Sequence, residues 1–210
     1  FTESNERFLK IVRAEPRSSM AEHGVHTILK SYEQIENWDG LNGAAREFFA
    51  NEDIGKTTKF KGELKNIFQR ATFKIAEGFA ADGKAPEAAK AFDGFFREFE
   101  DSDVRDIALY NSAFYFGQSG DRGKMLELRH EFVEKFPDPV GKDAKDAMLY
   151  EKSLSQLGEH YQSIAAFDQA AMYFRQLYDK NDAFNVEDFT TSKDALYNSA
   201  LFNEALGKTD

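Results

Sequence analysis

Leu154-Ser155-Gln156-Leu157-Gly158-Glu159-His160-Tyr161, followed by Ala165 and then Ala170-Ala171-Met172-Tyr173-Phe174, decides how the chain is read. Leu154, Leu157, Gly158 and Tyr161 stand at helical spacing on one face, and Ala170 and Phe174 repeat the four-residue step on a second helix. The same ruler falls on Leu109, Ala113, Phe116, Gly120, Asp121, Phe132 and Pro137, then on Ala76, Phe79, Gly83, Ala88, Phe92 and Phe95. Three copies of one helix-turn-helix unit predict a helical repeat.

Glycine marks the turns. Gly83, Gly120 and Gly207 each lie ten residues after an aromatic, Phe73, Tyr110 and Tyr197. A glycine there accepts the left-handed backbone of a C-terminal cap without a Cβ penalty, so the second helix can fold back. The pattern predicts helices over about Arg105–Ser119 and Arg122–Lys135, the latter stopped by Pro137 and followed by Pro139. Next come a longer one from about Lys142 to Ile164 and one over Phe167–Tyr178. Repeats begin near residues 69, 106, 151 and 193. Residues 1–68 fit the ruler poorly but are helical in period, with Ile28, Leu29, Tyr32 and Ile35 on one face and Leu41, Ala44, Ala45, Phe48 and Phe49 on another. Phe60, Leu64, Phe68, Ala71, Ile75 and Phe79 keep one stripe, predicting a single helix over about Thr57–Ala81. The expected organisation is an N-terminal helical cap or degenerate repeat over 1–68, joined rigidly to an array over 69–210, together one structural unit. The chain ends after the first helix of a fourth repeat, which reads as a piece of a longer array.

Composition narrows the function. With 41% hydrophobic and 30% charged residues the chain is ordinary for a globular protein. No stretch approaches the roughly 18 apolar residues that cross a bilayer, so no direct membrane insertion is expected. The net charge is -10, and residues 69–210 carry 17 basic against 26 acidic side chains. Such a surface repels phosphate, which argues against nucleic acid and for a neutral or basic partner. The absence of cysteine excludes disulfides and thiolate chemistry. Phe occurs 21 times against 14 Leu, so rings are expected to supply much of the core.

The Leu-Gly-x-x-Tyr and Ala-x-x-x-Phe spacing resembles the tetratricopeptide repeat over roughly residues 69–210. The resemblance implies an all-α solenoid of antiparallel helix pairs wound into a right-handed superhelix, working as a scaffold for other proteins. It implies that Ala76, Ala113, Gly158 and Ala200, at position eight, mark the closest helix approach. It also implies a concave groove lined by the first helices, giving Phe73, Tyr110, Phe114, Tyr197 and Leu201 as partner contacts, with Ser155 and Glu159 as a polar step. Asn111 and Asn198, beside the aromatics, could bond a peptide backbone. The wording Ala-Leu-Tyr-Asn-Ser-Ala, Gly-Asp and Phe-Val-x-x-Phe-Pro looks like bacterial envelope proteins of barrel assembly, the Tol-Pal system and gliding motility. That likeness implies a periplasmic or envelope adaptor, the alternative being cytoplasmic. Competing readings are a structural or self-associating element, through the C-terminal helix, and the regulatory repeat domain of a larger enzyme.

Catalytic and cofactor motifs fail on inspection. Gly117–Met125 is glycine-rich, but Gln118 and Met125 stand where a phosphate loop needs Gly and Ser or Thr. His23 and His26 form one i, i+3 pair, short of a metal site. His130 and His160 have no nucleophile arranged around them. Asp179-Lys180-Asn181-Asp182 opens like a calcium loop, but Phe184 stands at its glycine place. No catalytic residue, cofactor or metal is expected.

Overall fold

The computed structural model describes residues 2–55, 57–137, 144–184 and 189–208. Among them the protein is all-α: ten helices, no strand, with α1 to α5 packed in succession and α6 to α10 likewise. The helices are α1 (Thr2–Ala14), α2 (Ser19–Gln34), α3 (Trp38–Ala50), α4 (Thr58–Ala81), α5 (Ala85–Glu98), α6 (Arg105–Gln118), α7 (Arg122–Lys135), α8 (Ala144–Ser163), α9 (Phe167–Phe184) and α10 (Phe189–Ala205). Pro139 and the expected helix start at Lys142 lie outside the described residues.

One turn geometry recurs. Gly83 (φ 72°), Gly120 (87°) and Gly207 (72°) adopt the left-handed backbone expected of them. After each, the next amide reaches back five residues, as Lys84 N to Phe79 O (2.9 Å), Asp121 N to Phe116 O (2.9 Å) and Lys208 N to Asn203 O (2.8 Å). This 6→1 bond is the Schellman closure of a helix. Two further turns share it without glycine: Glu36 (φ 52°), with Asn37 N on Tyr32 O at 3.0 Å, and Ala165 (φ 58°), with Ala166 N on Tyr161 O at 2.9 Å. The helix-turn-helix unit therefore also occurs at α2–α3, inside the segment whose sequence fits the ruler poorly.

The chain divides into two compact units, residues 1–102 and 103–210, a division that falls at Ser102/Asp103 and leaves position 68/69 inside α4. In the first unit α1 to α5 pack in sequence. Its centre is aromatic: Phe92, Phe95, Phe96 and Phe99 are buried, and the Phe68 ring meets Phe99 edge-on at 5.0 Å. Burying a ring of this kind contributes roughly 1.5–3 kcal/mol. Thr57 caps α4 by accepting from Phe60 N, and the Lys61 ammonium closes the end of α3, donating to Phe48 O (3.2 Å), Phe49 O (3.0 Å) and Asn51 O (2.5 Å). A cation at the carbonyl end of a helix opposes its negative pole.

The second unit holds α6 to α10, with α8 packed on α6, α7 and α9. Leu109, Ala113, Leu128, Leu154, Leu157 and Ala170 are fully buried in it. Of the small residues expected at the helix crossings, Ala76 and Ala113 are inaccessible, and a Cβ on Gly158 would stand 2.9 Å from the Phe174 ring. Ala200 differs, being exposed.

Candidate functional site

Asp121 ends the phosphate-loop comparison within the turn itself. Its Oδ1 accepts Lys124 N at 3.0 Å, so a side chain of the chain already fills the N-terminus of α7. Residues 179–184 lie within α9 rather than in a loop. His23 stands edge-on to Phe8 at 6.4 Å, whereas His26 meets Phe60 at 5.3 Å and Glu63 at 3.4 Å, so the two imidazoles engage different neighbours. Among the described residues no three His, Cys, Asp or Glu side chains converge as a metal site, and no helix is long and apolar enough to cross a membrane.

The residues read as partner contacts divide between the units. Phe73 is half-buried in the first, its ring edge-on to Phe92 (5.3 Å) and Phe95 (5.2 Å). The other six lie in the second. Tyr110 is half-buried on α6: the Arg129 guanidinium sits 4.1 Å from its ring centroid, and Phe132 stands edge-on at 6.0 Å. One helical turn on, Phe114 is 39% exposed and Asn111 half-buried. On α10, Tyr197 is 67% and Leu201 45% exposed, Asn198 is half-buried, and Ser199 and Phe202 turn inward. Phe114, Tyr197 and Leu201 are thus the large apolar side chains of this set that solvent reaches, while Phe73 and Tyr110 spend their rings on packing.

Arg129 was not legible as a site residue. It is 1% exposed, and among the described residues it has no carboxylate partner. Its charge rests on the Tyr110 ring and on a 3.3 Å bond from Nη1 to Ser153 Oγ. Burial pulls the guanidinium pKa down from its ordinary value, with Tyr110 acting in the opposite sense. The α6–α7–α8 junction beside it forms an open cavity of about 560 Å³ whose wall includes Phe114 and Arg129.

A second cluster ties α7, α8 and α9 together. His130 Nε2 lies 3.0 Å from the Tyr161 hydroxyl and Nδ1 2.8 Å from that of Tyr173. A neutral imidazole has one donor and one acceptor nitrogen, so one tyrosine donates to it and the other accepts. Burial depresses the His130 pKa, Glu134 opposing and His160 reinforcing the shift. Burial also pushes the Tyr173 phenol up to about 12, helped by Tyr161, Glu134 and Tyr150.

A comparison with known protein families finds no family model that matches the chain, and a search of curated proteins finds no relative.

Proposed function

We propose that this chain is a non-catalytic adaptor of the tetratricopeptide-repeat type that docks a protein or peptide segment on the first helices of its helix pairs. The observation that carries the reading is the exposure of Phe114 on α6 and of Tyr197 and Leu201 on α10, beside the half-buried Asn111 and Asn198. Aromatic anchors give large contact area at low entropy cost, and such residues dominate interface energetics. Asparagine offers both a donor and an acceptor to a partner's backbone. The net charge of -10 favours a neutral or basic partner over nucleic acid. The envelope wording of the sequence makes the periplasm the compartment of choice.

Capture from an envelope extract tests it. Phe114→Ala with Tyr197→Ala is expected to cut recovery of the captured protein at least tenfold and to leave the helical circular dichroism unchanged, since Tyr197 is 67% and Phe114 39% exposed. Undiminished capture would mean that another surface docks the partner.

Self-association through α10 is the second reading, favoured by the contiguous exposure of Tyr197, Ala200 and Leu201. Sedimentation at high concentration separates the two. A dimer abolished by Leu201→Glu supports the second reading, whereas a monomer that still captures protein supports the adaptor.

A further inference from the structure

The cavity at the α6–α7–α8 junction is walled in part by Phe114, Arg122, Met125, Arg129, Gln156 and Glu159. Two polar atoms of this wall are buried without a hydrogen-bond partner: the Nε–H of Arg129, a donor, and Oε1 of Gln156, an acceptor. Buried polar groups are nearly always paired, so each orphan calls for an explanation. These two have opposite polarity, and the residues that carry them line one cavity.

The charges around them are also mixed. Arg122 and Arg129 have no ion pair among the described residues, and the Glu159 carboxylate accepts from Ser155 Oγ at 3.0 Å. An anion entering the cavity would meet Glu159 and the Gln156 oxygen; a cation would meet two guanidinium groups. A neutral group with a carbonyl and an N–H side by side opposes neither. We propose that the cavity receives the side-chain carboxamide of an asparagine or glutamine from a partner segment. Its carbonyl accepts from Arg129, its NH2 donates to Gln156, and its methylenes lie against Phe114 and Met125. A side-chain tip is the fitting source, because both orphan atoms are buried from water as the side chains stand, and a slender carboxamide displaces less of the wall than a peptide backbone does. Phe114, partly in solvent, and the unbranched Met125 are the side chains that turn aside to admit it.

This deepens the adaptor reading, on which it rests for Phe114 as a partner contact. The test follows the Arg129 Nε–H resonance of the full chain during titration with N-acetylglutamine N-methylamide, and in parallel with the glutamate and norleucine analogues. The glutamine probe is expected to shift the signal and to half-saturate at a concentration at least tenfold below either analogue. Gln156→Leu is expected to erase that preference, and Gln156→Met, closer in shape, replaces it if circular dichroism shows lost helicity. Equal or tighter binding of the glutamate probe would make this an anion site and overturn the proposal, as would no response to any probe. The two readings fail separately: a bound glutamine probe with undiminished capture by the Phe114→Ala, Tyr197→Ala variant sinks the adaptor face. Lost capture without probe binding sinks only the carboxamide.

Discussion

Ala165 and Glu36 hold positive φ values where the other three turns place glycine. A left-handed backbone costs a residue with a Cβ roughly 1–2 kcal/mol, whereas glycine at the same site gives back roughly 0.5–1 kcal/mol in unfolded-chain entropy. Ala165→Gly is therefore expected to stabilise the protein by about 0.5–1 kcal/mol in urea unfolding, and Gly120→Ala to destabilise it by a similar amount. Equal stability of all three proteins would show that these turns are not strained. Gly158 is small for a different reason. Its φ is ordinary for a helix, but an added Cβ would press on the Phe174 ring, so Gly158→Leu is expected to cost about 1–3 kcal/mol or more by overpacking. A melting temperature within a degree of the parent protein would contradict that crossing. Glycine made Gly83, Gly120 and Gly207 readable as turns, because φ above zero is cheap for glycine alone. Nothing in the identity of Glu36 or Ala165 reports their backbone, and so the α2–α3 unit stayed hidden in the sequence.

At the scale of elements, helix spacing exposes which stripe of a helix is buried but not what it meets. α4, α6 and α7 could be bounded closely from period and caps, while α9 runs on to Phe184, six residues beyond its reading. Arg129 and Ser153 are 24 residues apart, and His130 finds Tyr161 and Tyr173 at 31 and 43 residues, so neither cluster has a local signature. The His130 cluster carries a pH dependence with a defined sign. Burial lowers its folded pKa below the ordinary 6.5, so the unfolded chain binds the proton more readily. Stability from this residue is complete above about pH 6.5 and is lost as pH falls through the depressed folded value. Tyr173 behaves oppositely: its folded pKa is near 12 against an ordinary 10, so its contribution holds below pH 10 and is lost as pH rises from 10 to 12. Melting curves from pH 4 to 8 are expected to fall on the acid side, with a smaller fall in His130→Gln. Identical pH profiles for the two proteins would remove the imidazole from the account. At the other end of the chain, Lys61→Met is expected to cost about 1 kcal/mol by uncapping α3, read as faster amide exchange at Asn51.

For the whole molecule, helices are spread over both units, but the exposed residues of the proposed partner set are not. Residues 1–102 carry 15 basic and 18 acidic side chains, residues 103–210 carry 12 and 19, so most of the net charge lies with Phe114, Tyr197 and Leu201. Each unit has its own buried core, and in helical arrays stability is built from neighbouring helices rather than from distant ones. A protein of residues 103–210 alone is therefore expected to keep its helical circular dichroism, to melt cooperatively, and to capture the same partner as the full chain. Residues 1–102 alone are expected to fold but to capture nothing, since Phe73, their one residue of the partner set, is engaged by Phe92 and Phe95. If the partner is basic, capture by 103–210 should weaken as salt rises from 0.05 to 0.5 M, because screening acts on exposed charge; a neutral, apolar-anchored partner would stay bound. Capture by residues 1–102 alone would move the docking surface to α1–α5 and leave the exposed aromatics of α6 and α10 without a partner role.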